Sequence, residues 1–323
     1  FVYDFKWIDD FGAAKQFAVS KASNDNILIL DCDEYLQSDK TVLEKLNSML
    51  ENEPQRAGRI KCINVLDDDS KNTDWITRAF NRKYYKVEGK IHEQIVKTDG
   101  EPADTFLSAV VIKHVGYALN DDEKKKKASR NIKLLKKRLA ELEKNFDSDI
   151  TQNNEKEIPY IYYQLGKSYY MEKDYNNACD FFSKGLSFDL EPKLEYVIDM
   201  VETYGYAMLN SGKVQEALSY TSIYDVFGNS ADFKFLMGLI YMKNAMFDEA
   251  VNEFQKAAEY KESRVEGANS YLAYYNIGVI YECLGNIGKA QEYYKKCNGY
   301  SKAVERLENG RQGNLTKCRK TGV

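Results

Sequence analysis

The chain has 323 residues, a formal net charge of −4 and an apolar content of 43%, enough for two domains with cores of ordinary size. The near balance of charge excludes a general polyanion-binding surface, so nucleic acid is not an expected partner. No run of 18 apolar residues occurs, so no membrane-spanning helix is expected.

In chain order, Asp9 and Asp10 precede a helix expected to start near Phe11 and read as N-caps. Ile27-Leu28-Ile29-Leu30 is an apolar run that ends in Asp31-Cys32-Asp33, which predicts a buried parallel strand with an acidic tip. Ligands of open α/β sheets lie at the carboxyl ends of such strands. Asp31 and Asp33 placed there can hold a divalent cation that bridges phosphates; a strand ending in a solvated acidic turn is the alternative. Side-chain alternation turns Cys32 away from the two aspartates and into the core. Trp7 and Trp75 read as core residues. Ala109-Val110-Val111-Ile112 is another strand, with His114 at its tip.

A charged helix follows from about Glu123 to Lys144, with Asn120–Asp122 as its capping stretch and Ile132, Leu134, Leu135, Leu139 and Leu142 on one face. The basic run Lys124–Lys127 lies on its solvated side. Asp147–Glu157 reads as a polar linker. The six cysteines, Cys32, Cys62, Cys179, Cys283, Cys297 and Cys318, show no CxxC spacing, and reduced thiols in a cytoplasmic protein are the expectation.

The second half is a repeat array. Gly166, Gly205, Gly238 and Gly278 each stand twelve residues before an alanine, Ala178, Ala217, Ala250 and Ala290. The copies fit the tetratricopeptide pattern, whose period is about 34 residues. The small residues let the two helices of a hairpin approach, and aromatics such as Phe182, Phe254 and Tyr294 fill the remaining space. The second copy is weaker, with Met208 and Thr221 where aromatics are usual. The extra residues around Lys261–Ser270 lengthen a helix or a loop. Such solenoids commonly bind proteins or peptides; stabilising the rest of the chain, or holding a homodimer together, are the alternatives.

The stretch from Asp4 to Leu36, with Trp7-Ile8-Asp9-Asp10-Phe11, Ala14 and Asp31-Cys32-Asp33-Glu34, resembles the middle of a family 2 (GT-A type) glycosyltransferase. Phe80, Gly89-Lys90-Ile91-His92-Glu93 and His114-Val115-Gly116-Tyr117 resemble later landmarks of that family in the same order. The coupling to helical repeats is similar to that of the sublancin-type bacteriocin glycosyltransferases. Two departures stand out: Lys15-Gln16 replaces the family's Arg-Asn, and Gly12 its serine. The chain also opens at what would be a middle strand, so the resemblance implies an incomplete nucleotide fold.

The fold expected on this basis is α/β followed by all-α. It comprises part of a Rossmann-like GT-A domain at 1–118, a connecting helix and linker at 119–157, and a tetratricopeptide-like solenoid at 158–323. The resemblance implies a metal-dependent inverting glycosyltransferase that takes a UDP-sugar or similar nucleotide-sugar and acts on a protein or peptide. Asp33, Asp31 and His114 would hold manganese or magnesium, and Asp9, Asp10, Lys15, Asp31 and Asp33 would face the donor. Glu93 is the expected general base; His92 as base with Glu93 orienting it is the alternative. Two rivals stand beside this reading: a transferase acting on a glycan or lipid-linked acceptor, and a non-catalytic tetratricopeptide adaptor with a vestigial transferase half.

Overall fold

The computed structural model describes residues 1–65, 70–115, 121–145 and 152–311. The chain forms two compact units, Phe1–Lys144 and Asn145–Val323.

The first unit is α/β. Its elements are α1 (Phe11–Lys21), β1 (Asn26–Leu28), β2 (Glu34–Leu36), α2 (Lys40–Asn52), β3 (Ala57–Val65), β4 (Lys71–Asn81), β5 (Tyr85–Glu88), β6 (Gln94–Lys97), β7 (Thr105–His114) and α3 (Asp121–Asn145). Five strands form one sheet in the order β1-β4-β3-β7-β2, and β5 and β6 form a separate hairpin. Only the β3–β7 pairing in the larger sheet is parallel. Alternating residues of β3 and β7, among them Ile60, Cys62, Val110 and Ile112, form a core with Leu46 and Leu50 of α2. Full burial of a leucine of this kind stabilises by about 2 kcal/mol.

Asp10 caps α1 by accepting the Ala13 N–H at 2.8 Å, and Asp39 caps α2 in the same way. The start of α1 docks on the loop between β5 and β6: the N–H groups of Phe11 and Gly12 donate to the carbonyls of Lys90 and Gly89. A Cβ on Gly12 would stand 2.6 Å from the Gly89 carbonyl oxygen. Close backbone approach therefore accounts for glycine at this position.

Several expectations are corrected. The apolar run from Ile27 is not a buried parallel strand: β1 has three residues, pairs antiparallel with β4 and lies at the sheet edge among the described strands, with only Ile27 buried. Asp31–Asp33 form a turn, so strand alternation does not apply and Cys32 is exposed. Trp7 is 48% exposed, against the edge of Phe11, and Trp75 is half-buried. The charged helix α3 lies within the first unit, with Leu135 and Leu142 buried on the expected face. Gly116, Tyr117, Asn120 and Cys318 lie outside the described residues.

The elements of the second unit among its described residues are helices: α4 (Gln152–Met171), α5 (Tyr175–Leu186), α6 (Glu195–Asn210), a 3-10 helix (Glu216–Ile223), α7 (Tyr224–Phe227), α8 (Ala231–Lys243), α9 (Phe247–Ala258), α10 (Tyr271–Cys283), α11 (Ile287–Lys296) and α12 (Ser301–Arg311). Helix α4 already runs through Gln152–Glu157, inside the stretch expected as linker; 146–151 lie outside the described residues. Each of the four expected glycines sits on the first helix of a hairpin. A Cβ there would meet Phe182 at 2.5 Å from Gly166, Leu236 at 2.6 Å from Gly205, Phe254 at 2.6 Å from Gly238 and Tyr294 at 2.5 Å from Gly278. The four partner alanines are all buried. Seven residues after each glycine the backbone turns left-handed, at Lys173, Gly212, Ala245 and Gly285, which ends the first helix and reverses the chain. The weak second copy is the one that departs: a 3-10 helix stands where the other copies have an α-helix.

Candidate functional site

The α/β unit gathers several of the expected residues. Lys15 on α1 reaches Asp31 at 2.6 Å and Glu93, in the β5–β6 loop, at 2.5 Å. Arg78 on β4 reaches Asp31 at 2.8 Å and Glu34 at 2.7 Å. Two cations thus serve three carboxylates. Burial works against ionisation of Asp31, but the Lys15 hydrogen bond and the Arg78 and Lys15 charges prevail and hold its pKa below the usual carboxylate range. Burial likewise disfavours charge on Arg78, and Glu34 and Asp31 more than offset it. The Arg78 Nε is buried with no hydrogen-bond partner among the described residues. Lys15 and Asp31 also line an open cleft of about 720 Å³ beside α1 and β1.

Asp33 and His114 form a second group, brought together by the β2–β7 pairing, which sets Glu34 opposite His114. The amide nitrogen of Asn64 donates to Asp74 at 2.8 Å and to Asn72 at 2.7 Å, which fixes its oxygen toward the His114 Nδ1 at 2.8 Å. The Nδ1 of His114 therefore carries the proton. In a neutral ring the Nε2 lone pair then faces the Asp33 carboxylate, 3.3 Å away.

The three expected metal ligands are not gathered into one set. Asp31 is turned to Lys15 and Arg78, while Asp33 and His114 form a pair. Among the described residues no group of three or more His, Cys, Asp or Glu is placed to hold a metal ion. Glu93, the expected base, is the ion-pair partner of Lys15, and His92 beside it has a left-handed backbone. Asp10 acts as the cap of α1, and Asp9 accepts the Trp7 indole N–H at 2.9 Å.

The helical unit holds a polar cluster that sequence reasoning missed. Asp199 and Asp232 occupy equivalent positions, six residues before Gly205 and Gly238, and Glu202 stands one turn after Asp199. All three are buried. Asp199 accepts from Lys167 of α4 at 2.7 Å and from the Tyr163 hydroxyl at 2.5 Å. Arg264, from the segment between α9 and α10, hydrogen-bonds to Asp199 and lies 3.4 Å from Glu202. The two oxygens of Asp232 accept the successive backbone N–H groups of Arg264 and Val265, each at 2.8 Å. Tyr163 and Lys167, Asp199 and Glu202, and Asp232 lie on α4, α6 and α8, the first helices of consecutive hairpins. Burial disfavours charge on Asp199, yet Lys167 and Arg264 hold its pKa well below the ordinary range. For Glu202, burial exceeds the attraction of Arg264 and pushes the pKa up to about 8. Carboxylates on otherwise apolar helices (VIDMVETYG and ADFKFLMG) were the signal available in the sequence.

Residues 159–192, 231–264 and 271–303 match the family model of the tetratricopeptide repeat. The helical unit carries tetratricopeptide repeats. The match leaves out the second hairpin, with its 3-10 helix, and no part of it falls in the α/β unit. No curated protein matches the chain. Among solved structures, the chain is similar to YrrB, described as a tetratricopeptide protein with an unusual peptide-binding site (21% identity over 59% of this chain and 92% of that one, TM-score 0.43). It is also similar to BtubC from P. vanneervenii (16%, 63% and 82%, TM-score 0.43) and to MamA from Desulfovibrio magneticus RS-1 (18%, 59% and 96%, TM-score 0.39).

Proposed function

We propose that this protein is a peptide- or protein-binding module whose recognition surface is the inner face of α4, α6 and α8. The observation that carries this reading is the cluster of buried Tyr163, Asp199, Glu202 and Asp232 with the part-exposed Lys167 on those helices. Buried ionised groups cost stability unless they are paired, and an apolar inner face would stack the repeats equally well. Retained polar groups on that face suit recognition of a polypeptide backbone and a charged side chain. Selection of a displayed random-peptide library on the chain tests the reading, run in parallel on wild type and Arg264→Ala. The expected result is a consensus sequence enriched by at least one of them and lost in Asp232→Asn. No consensus from either, or one indifferent to Asp232, contradicts it.

A second reading concerns the α/β unit, and the convergence of Lys15, Asp31, Arg78 and Glu93 beside the Asp33–His114 pair favours it. In this reading the unit binds a nucleotide-sugar or another diphosphate, with Lys15 and Arg78 toward the phosphates and Asp33 and His114 as protein donors to a divalent cation. Such a cation would neutralise charge on a leaving diphosphate. Calorimetric titration of UDP, and then GDP, with and without manganese tests it. Metal-dependent binding lost in Asp33→Ala supports a transferase origin with a working donor site. No binding leaves the adaptor reading as the account of the whole chain.

A further inference from the structure

Residues 261–270 connect the third and fourth hairpins and account for most of the excess between Gly238 and Gly278, which lie 40 residues apart rather than about 34. This connection does not stay at the edge of the repeats. Its far end is fixed: Ala268 is fully buried in the core of α8, α9 and α10, and the Asn269 side chain donates to the Tyr260 carbonyl at 3.0 Å. Its near end reaches the polar cluster of the second and third repeats. There one carboxylate, Asp232, clamps two successive main-chain amides, and the Arg264 guanidinium, still 30% exposed, hydrogen-bonds to Asp199 and lies near Glu202. Main-chain amides on a carboxylate and a side chain in a charged pocket are the contacts by which a bound peptide is held.

We infer that the segment Ser263–Val265 is a built-in competitor for the inner face, and that the peptide this face takes presents an arginine which replaces Arg264 on Asp199. The inference rests on the peptide-binding reading above and specifies both its ligand and its regulation. The chemistry selects arginine over lysine, because a planar guanidinium can face Asp199 and Glu202 together, whereas an ammonium is a point charge. Arg264 is removable without orphaning its main partner. Asp199 keeps Lys167 and the Tyr163 hydroxyl when the guanidinium leaves.

The test uses a blocked, fluorescent octapeptide that copies residues 261–268, Lys-Glu-Ser-Arg-Val-Glu-Gly-Ala, together with versions carrying lysine or alanine in place of the arginine. A tethered competitor acts at an effective concentration near the millimolar range, so Arg264→Ala is expected to bind the arginine peptide at least about tenfold more tightly than wild type does. The lysine peptide is expected to bind more weakly, the alanine peptide not at all, and Asp199→Asn in the Arg264→Ala background to abolish the gain. Equal binding to wild type and a folded Arg264→Ala, no binding to either, or equal binding of the arginine and alanine peptides overturns the inference. If Arg264→Ala does not fold, Arg264→Lys, which keeps a cation on Asp199, takes its place with an intermediate gain expected and the same contrary outcomes. A library consensus that depends on Asp232 but lacks arginine, and is unchanged by Arg264→Ala, would overturn the competitor while leaving the peptide-binding reading intact.

Discussion

Lys15 stands 2.5 Å from Glu93, an ion pair that joins α1 to the β5–β6 loop across 78 residues of sequence. Both side chains are largely buried, at 20% and 15% exposure. The pair serves Asp31 as well, so one ammonium group counters two carboxylates from different elements.

Lys15→Met is therefore expected to destabilise the α/β unit by about 1–3 kcal/mol, the cost of leaving a part-buried carboxylate without its cation. Both tryptophans, Trp7 and Trp75, lie in this unit, so a urea titration followed by tryptophan fluorescence reads it separately from the helical repeats. An unchanged midpoint would mean that the ion pair is not formed in solution.

Gly12→Ala brings a methyl group to 2.6 Å from the Gly89 carbonyl oxygen. Backbone cannot yield there as a flexible side chain can, so a loss of about 1–3 kcal/mol is expected in the same fluorescence assay. A neutral outcome would show that α1 does not dock on the Gly89–Lys90 loop.

Gly238→Ala pushes a methyl group into the Phe254 ring at 2.6 Å, and a loss of about 1–3 kcal/mol is expected by far-UV circular dichroism. Gly288, on α11, has nothing within 4 Å of a Cβ. Gly288→Ala is expected to leave stability unchanged or to raise it by up to about 1 kcal/mol. Equal losses from both substitutions would rule out helix–helix contact as the reason for the glycine.

The pH dependence of the helical unit follows from two carboxyls with opposite shifts. Glu202 is raised to about 8 from 4.5, so between those values the folded state holds a proton that the unfolded state has released. Stability should therefore fall as pH rises through that window, with a slope of up to about 1.4 kcal/mol per unit. Asp199 is shifted downward, so its contribution is present above about pH 4 and is lost as pH falls below it. Glu202→Gln should flatten the upper slope and leave the acid limb. Urea midpoints by circular dichroism from pH 3 to 9 check both, and an upper slope identical in the variant would place the titration elsewhere.

The helical repeats were legible because four glycine–alanine pairs at a fixed spacing record a local packing rule: Gly166 must admit Phe182, and Gly238 must admit Phe254. Even the departure of the second copy showed in Met208 and Thr221. The α/β unit was less legible. An apolar run of four, Ile27–Leu30, carries no record of strand direction or of an edge position, which depend on β4 some fifty residues later. The approach of Asp33 to His114 was legible only in part, since both tips were expected at one end of a sheet, whereas the salt bridges that divert Asp31 come from Lys15 and Arg78. Arg264 left no signal of its own. Its partners lie 65 and 32 residues away, and an arginine in a polar connection reads as solvated until the solenoid closes around it.

Amide hydrogen exchange, measured with and without a library-selected peptide, tests the central claim most directly. The account predicts added protection in α4, α6 and α8 and reduced protection at residues 263–265, whose Arg264 and Val265 amides leave Asp232 when the peptide displaces them, with residues 1–144 unchanged. Protection confined to the α/β unit, or to α5, α9 and α11, would contradict recognition by the inner face.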